Sequence, residues 1–180
     1  MLDLTHMSID IETLGTASNA LVLSIGASVF HPREGLIHSR SWKLERKSQV
    51  TFGRLIDPDT VGWWVTQNSK AQHRAFDSSI PEILPDLALE QLGELWTLTG
   101  CRMAWGFGAV FDLGIIESLA DDYEVEVPWS HRQQGCLRTM SSLYPDVPRP
   151  KPEVSHDPMH DSMAQGFYLM DLLKRAYNER

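Results

Sequence analysis

Asp10 and Glu12, in the stretch "MSIDIETLGT", are two acids one residue apart at the end of an apolar run. On an extended strand, residues two apart project from the same face, so both carboxylates point the same way. Carboxylates a few ångströms apart repel, and one takes up a proton unless a cation stands between them. A hard divalent ion such as Mg²⁺ is the natural partner of such oxygen donors. Taken alone, the pair fits a solvated strand end as well. Asp112, in "WGFGAVFDLGIIESL", sits where a helix N-cap would stand. The Gly-x-Gly before it lacks the full dinucleotide-binding spacing. His156 and Asp161, in "SHDPMHDSMAQ", add an imidazole and another carboxylate, with Asp157 and His160 between them. A His/Asp cluster also suits zinc, but no Cys joins it and the acids elsewhere favour Mg²⁺ or Mn²⁺.

These side chains need elements to carry them. Leu4 to Asp10 reads as a strand, and "LVLSIGASVF" (Leu21 to Phe30) alternates, with Leu21, Leu23, Ile25, Ala27 and Val29 on one face. After the turn "HPREG", Gly35 to Leu44 forms a third strand, and short connections make the three an antiparallel meander. Asp57-Pro-Asp-Thr starts one or two short helices up to Phe76. Ser79 is the candidate N-cap of a longer helix that carries Leu87 to Leu98 and stops at Gly100. "CRMAWGF" is a short strand, and "DLGIIESLADDY" is a helix with Asp112 near its start. "GCLRTMSSLYP" is a short strand leading into a helical turn. Pro145, Pro148, Pro150, Pro152 and Pro158 stiffen a long loop carrying His156. The final helix holds Asp161 and presents Met163, Phe167, Met170 and Leu173 as its apolar stripe. Strands first, then helices alternating with strands, imply an α/β fold with a mixed sheet and helices packed on it.

Bulk properties narrow the class. The chain has 180 residues, fitting one domain over 1–180, and 42% hydrophobic content supports a sizeable core. Cys101 and Cys136 lack metal-ligand spacing and read as reduced thiols. With no bilayer-length apolar run and no basic-then-apolar leader, a cytoplasmic, membrane-free protein is expected. The net charge of −8 argues against a general nucleic-acid binder, unless some acids are neutralised by metal.

Asp10-x-Glu12, Phe111-Asp112 and His156-x4-Asp161 together resemble the pattern of the DEDDh 3′–5′ exonucleases, which have an RNase H-like fold. The segments "DIETLGT", "LSIGASVF", "IDPDTVGWW", "WGFGAVFD", "CLRTM" and "HDPMHDSMAQ" are similar to the branch of phage exonuclease A and the mycobacterial 3′–5′ exoribonuclease. The resemblance implies an RNase H-like sheet, antiparallel over strands 1–3 and parallel thereafter. It implies two Mg²⁺ or Mn²⁺ ions, one held by Asp10, Glu12 and Asp161, the other chiefly by Asp10 with support from Asp112. His156 would be the general base. The implied product is a nucleoside 5′-monophosphate from the 3′ end of RNA or DNA, in a single strand or 3′ overhang, with an exoribonuclease expected over an exodeoxyribonuclease.

Ile11, Thr13 and Leu14 beside the first motif, one of Trp63 and Trp64, and Arg138 are the expected substrate contacts, with Leu14 wedged against the terminal base. Arg132, Arg149 and Lys151 join Arg138 as cations that could grip backbone phosphates, and each also fits an ordinary surface position. Trp42, Trp96, Trp105 and Trp129 are expected to pack internally. The resemblance also implies a homodimer. The pattern is departed from at Phe107, where the usual residue is Asn. Two competing readings share the sheet: an RNase H-type endonuclease, and a nucleic-acid-binding domain of weak or no activity.

Overall fold

The computed structural model describes residues 3–178. Five strands form one sheet in the order β3-β2-β1-β4-β5. β1 (Thr5–Thr13), β2 (Val22–His31) and β3 (Gly35–Lys43) are the antiparallel meander. β4 (Cys101–Gly106) and β5 (Gln134–Cys136) then add in parallel beside β1. This is the mixed RNase H-like sheet expected. β1 runs three residues beyond the expected end, so Asp10 and Glu12 lie within the strand and stay paired to Gly26 and Ser24. A register shift follows at Glu12/Thr13, and such bulges re-aim a chain beside a site.

The helices are α1 (Arg46–Thr51), α2 (Pro58–Thr66), α3 (Ser69–Phe76), α4 (Pro85–Leu98), α5 (Ala109–Asp122), α6 (Leu137–Leu143) and α7 (Pro158–Asn178). Ser79 does not cap α4. Leu84 is the N-cap residue and Pro85 opens the helix, while Ser79 donates its backbone N–H to Asp77 Oδ1 at 2.9 Å. A proline at the first helical position loses no needed donor, so the start moves to Pro85.

Odd-numbered β1 residues Met7, Ile9 and Ile11 join β2, α4 and α5 in the main core. A second apolar cluster lies under α7, with Phe30, Trp105, Leu169 and Leu172. With both faces covered, β2 is buried from Val22 to Phe30 and not on alternate residues as its pattern suggested. Trp42, Trp96, Trp105 and Trp129 are all core residues.

α7 lies unusually close to the sheet because small residues face it. A Cβ on Gly26 would stand 2.0 Å from Pro158 O, and one on Gly166 would stand 1.8 Å from the Phe30 ring. Ser162 hydrogen-bonds Ser28 across the same contact at 2.8 Å. Ser162 and Gly166 make this close contact, and Gln165, Tyr168, Leu169, Met170, Leu172 and Leu173 of α7 are also buried. Met170 and Leu173 of the expected stripe thus face inward, while Phe167 is exposed, its ring T-shaped against Phe30. Gly26 is the direct cross-strand partner of Asp10. The close approach thus delivers the start of α7 onto the strand position beside that carboxylate.

Candidate active site

Four acids and one imidazole converge at one end of the sheet. Asp10 and Glu12 come from β1, Asp112 from the first turn of α5, Asp161 from the first turn of α7, and His156 from the loop before it. They line one cavity of about 260 Å³ together with Ile11, Phe107, Arg138, Arg149 and Gln165. Asp10, Glu12 and Asp161 each offer an oxygen within 4.8 Å of the others.

Asp112 does not cap α5, since Gly108 occupies that position; its Oδ2 instead accepts the Gly108 N–H at 3.1 Å. A Cβ on Gly106 would meet that Oδ2 at 2.6 Å, so the glycine where β4 ends leaves room for the carboxylate. Asp157 is the anchor of the α7 start. Its Oδ1 accepts the N–H groups of Met159 and His160, both at 3.2 Å, and its Oδ2 meets Arg74 Nε at 3.2 Å. Gln165, one helical turn beyond Asp161, donates from Nε2 to Asp10 Oδ1 at 2.6 Å. Neither role was anticipated. Asp-Pro at a helix start is a capping signal, and the four-residue spacing from Asp161 puts Gln165 on the same face.

The electrostatics favour a cation. Burial, and then the charges of Glu12, Asp112 and Asp161, hold the Asp10 carboxyl well above its ordinary range. Burial with Asp161, Asp112 and Asp157 pushes Glu12 up to about 8. Burial raises Asp112 to about 6 against the N–H groups of Gly108 and Ile11 and the charge of Arg138. Asp161 is raised by burial, opposed by His156. Asp161 Oδ2 and Gln165 Oε1 are buried acceptors without a hydrogen-bond partner. A cluster of oxygen donors that repel one another, with orphan acceptors among them, fits a hard divalent cation.

His156 has a left-handed backbone, φ 61°, uncommon outside glycine and often found at functional positions. Its Nδ1 stands 3.9 Å from Glu12 Oε1, and its ring meets the Trp63 ring edge-on at 4.9 Å between centroids. Trp63 is 43% exposed and lines an adjoining, mainly apolar cavity of about 450 Å³ with Ile11, Glu12, Thr13, Gly15 and Phe111.

The other expected substrate contacts divide. Ile11 and Thr13 line that cavity, and Arg138 lines the carboxylate cavity. Trp64 is only 1% exposed and points inward, donating its Nε1–H to Thr13 O at 2.9 Å. Leu14, 7% exposed, packs in the same cluster with Leu21 and Leu23. Both side chains are therefore buried, and neither lines the cavity. Arg132 and Lys151 are exposed and do not line the carboxylate cavity, whereas Arg149 does.

The family described as the 3′–5′ exoribonuclease Rv2179c-like domain matches residues 5–172. No curated protein matches the sequence. Among solved structures, the chain is similar to Escherichia coli exonuclease I in a zinc-bound complex with single-stranded DNA, at TM-score 0.69 and 16% identity, covering 99% of this chain and 42% of that one. It is also similar to the nuclease domain of 3′hExo, a DEDDh family member bound to rAMP, at TM-score 0.66 and 9% identity, covering 95% of this chain and 92% of that one. Cell-death related nuclease 4 aligns at TM-score 0.57 and 12% identity, covering 97% of this chain and 65% of that one. At these identities the likeness establishes the fold. The chain spans about two fifths of the length of exonuclease I.

Proposed function

The chain belongs to the family of 3′–5′ exoribonuclease Rv2179c-like domains, and from that membership we propose a metal-dependent 3′–5′ exonuclease acting on RNA in preference to DNA. The substrate is a short single strand or 3′ overhang, the product a nucleoside 5′-monophosphate, and residues 1–180 act as one catalytic domain. The observation that carries this reading is the convergence of Asp10, Glu12 and Asp161 within 4.8 Å, with Asp112 and His156 on the same cavity.

Asp10, Glu12 and Asp161 would hold one Mg²⁺ or Mn²⁺, and Asp10 with Asp112 a second. Such ions, when bound, neutralise charge on the phosphoryl group and favour ionisation of water. The protein's own side chains do the rest. Gln165 fixes the rotamer of Asp10 through the 2.6 Å hydrogen bond. The apolar cavity over Ile11, Thr13 and Trp63 takes the terminal nucleoside. Arg138 attracts the phosphodiester. His156 takes the proton of the attacking water at Nδ1, the nitrogen turned toward Glu12. As the water oxygen bonds to phosphorus, the bond to the 3′ oxygen of the preceding nucleotide breaks.

The test is a Mn²⁺ time course on matched 5′-labelled RNA and DNA single strands. Stepwise shortening, faster on RNA, is expected. Internal cuts in a circular substrate would instead support an endonuclease.

A further inference from the structure

Phe107 stands directly after β4, where the resemblance led us to expect an amide. Part of its ring packs on the apolar cluster beneath α7. Its open part carries two guanidinium groups. Arg149 Cζ lies 3.7 Å from the ring centroid and Arg138 Cζ lies 5.5 Å from it. Arg138 also donates from Nε to Phe107 O at 3.1 Å. All three residues line the carboxylate cavity. Arg138 in addition lines a neighbouring cavity of about 490 Å³, shared with Gly108, Phe111, Cys136 and Thr139.

Arg54, Arg74 and Arg175 each meet a carboxylate. Among the described residues, Arg138 and Arg149 form no direct ion pair, and Arg138 acts on the Asp112 carboxylate only through its charge. Arg149 is also held from both sides, because Pro148 and Pro150 flank it. Fixed φ angles at both neighbours reduce the entropy lost when the side chain engages a ligand. A planar guanidinium on an aromatic face keeps its N–H edge free for an anion. In a chain of net charge −8, two arginines held on one aromatic ring in the lining of an acidic cavity form a local anion-binding feature.

We infer that Phe107, Arg138 and Arg149 form a clamp for the phosphate one step upstream of the scissile bond, so that the enzyme selects substrates bearing that second phosphate. This rests on the exonuclease reading above, which assigns the carboxylate end of the cavity to the scissile phosphate. Arg138, lying between that cavity and the 490 Å³ cavity beside it, then faces the preceding nucleotide. Phe107 takes the place of a hydrogen-bonding amide by acting as a platform for cations.

A dinucleotide isolates the feature, because its only upstream phosphate is the one at its 5′ end. The experiment compares kcat/KM with Mn²⁺ for a 5′-phosphorylated dinucleotide and the same dinucleotide with a 5′-hydroxyl. The wild type is expected to prefer the phosphorylated form by about tenfold or more, the scale of a charge-assisted contact. Arg149→Ala should bring the ratio near one. Phe107→Leu, which keeps apolar bulk but removes the ring, should lower the ratio although both arginines remain. Arg102→Ala, on an exposed β4 position toward the other end of that strand, should keep it. Equal cleavage of both dinucleotides by wild type, or an unchanged ratio in Arg149→Ala, overturns the clamp alone. Shortening of the longer 5′-labelled RNA with neither dinucleotide cleaved also overturns the clamp alone, whereas failure to shorten that RNA overturns the exonuclease reading and the clamp with it.

Discussion

Gly26→Ala tests whether the site depends on how closely α7 lies on the sheet. The added Cβ would stand 2.0 Å from Pro158 O, 2.1 Å from Pro158 C and 2.6 Å from Met159 N. All three are backbone atoms at the helix start, so no side-chain rotation relieves the contact. Ordinary van der Waals separation requires the start of α7 to retreat by about 1 Å or more. Overpacking of this kind costs about 1–3 kcal/mol, or roughly 3–10 °C in Tm for a chain of this size. The kinetic cost is larger. Asp161 and the loop bearing His156 move with the helix, while Asp10 and Glu12 remain on β1, and a misplacement near 1 Å costs about 100-fold in rate. Steady-state kinetics with Mn²⁺ and a thermal melt on the same preparation give both numbers. Gly93→Ala is the control, because a Cβ there meets nothing within 4 Å and the glycine lies inside α4. It should keep full activity and gain up to about 1 kcal/mol. A Gly26→Ala protein that folds and turns over like wild type would refute the argument.

Three further outcomes are expected. Because Glu12 is raised to about 8 and Asp112 to about 6, the metal-free folded state holds protons that the unfolded chain has already released above about pH 4.5. Stability from these groups is therefore full at low pH and is lost as pH rises toward 8, by about 1.4 kcal/mol per unit for each group still protonated only in the fold. Melts of chelated protein from pH 5.5 to 8.5 should show a falling Tm that Mn²⁺ reverses, and a flat or rising chelated profile would count against the buried acid cluster. Gln165→Leu frees Asp10 Oδ1 and should weaken Mn²⁺ binding by about 10–100-fold in calorimetry; wild-type affinity would exclude that positioning role. His156→Ala should fold normally and lose about 10²–10⁴ in kcat, and undiminished kcat across pH 6–9 would remove His156 as the base.

Much of the architecture was legible because periodicity and turn chemistry agreed. The β1–β3 meander follows from local patterns that tertiary packing left intact, while the parallel continuation was legible only through the family resemblance. The five side chains were legible as a set through the resemblance to the DEDDh pattern, since each taken alone fits an ordinary structural position. What escaped depends on packing between distant elements. Trp63 and Trp64 are adjacent on α2, and only the Thr13 carbonyl, which takes the Trp64 N–H, decides which ring turns inward. Leu14, expected to wedge against the terminal base, is packed by the chain after the bulge against Leu21 and Leu23, which its spacing from Glu12 did not show. Phe167 left the expected stripe because Ser162 and Gly166, small and apolar-poor, are what the sheet accepts at close range. Phe107 looked like a lost amide, and only the placement of Arg138 and Arg149 around its ring gives it a positive role.

The central claim is that Asp10, Glu12, Asp112 and Asp161 are a divalent-metal site. Titration of the chelated protein with Mn²⁺, followed by electron paramagnetic resonance at pH 7.5, tests it most directly. Two bound ions in wild type are predicted, with loss of binding in a folded Asp10→Asn variant. No binding at millimolar Mn²⁺, or binding unaffected by Asp10→Asn, would contradict the account.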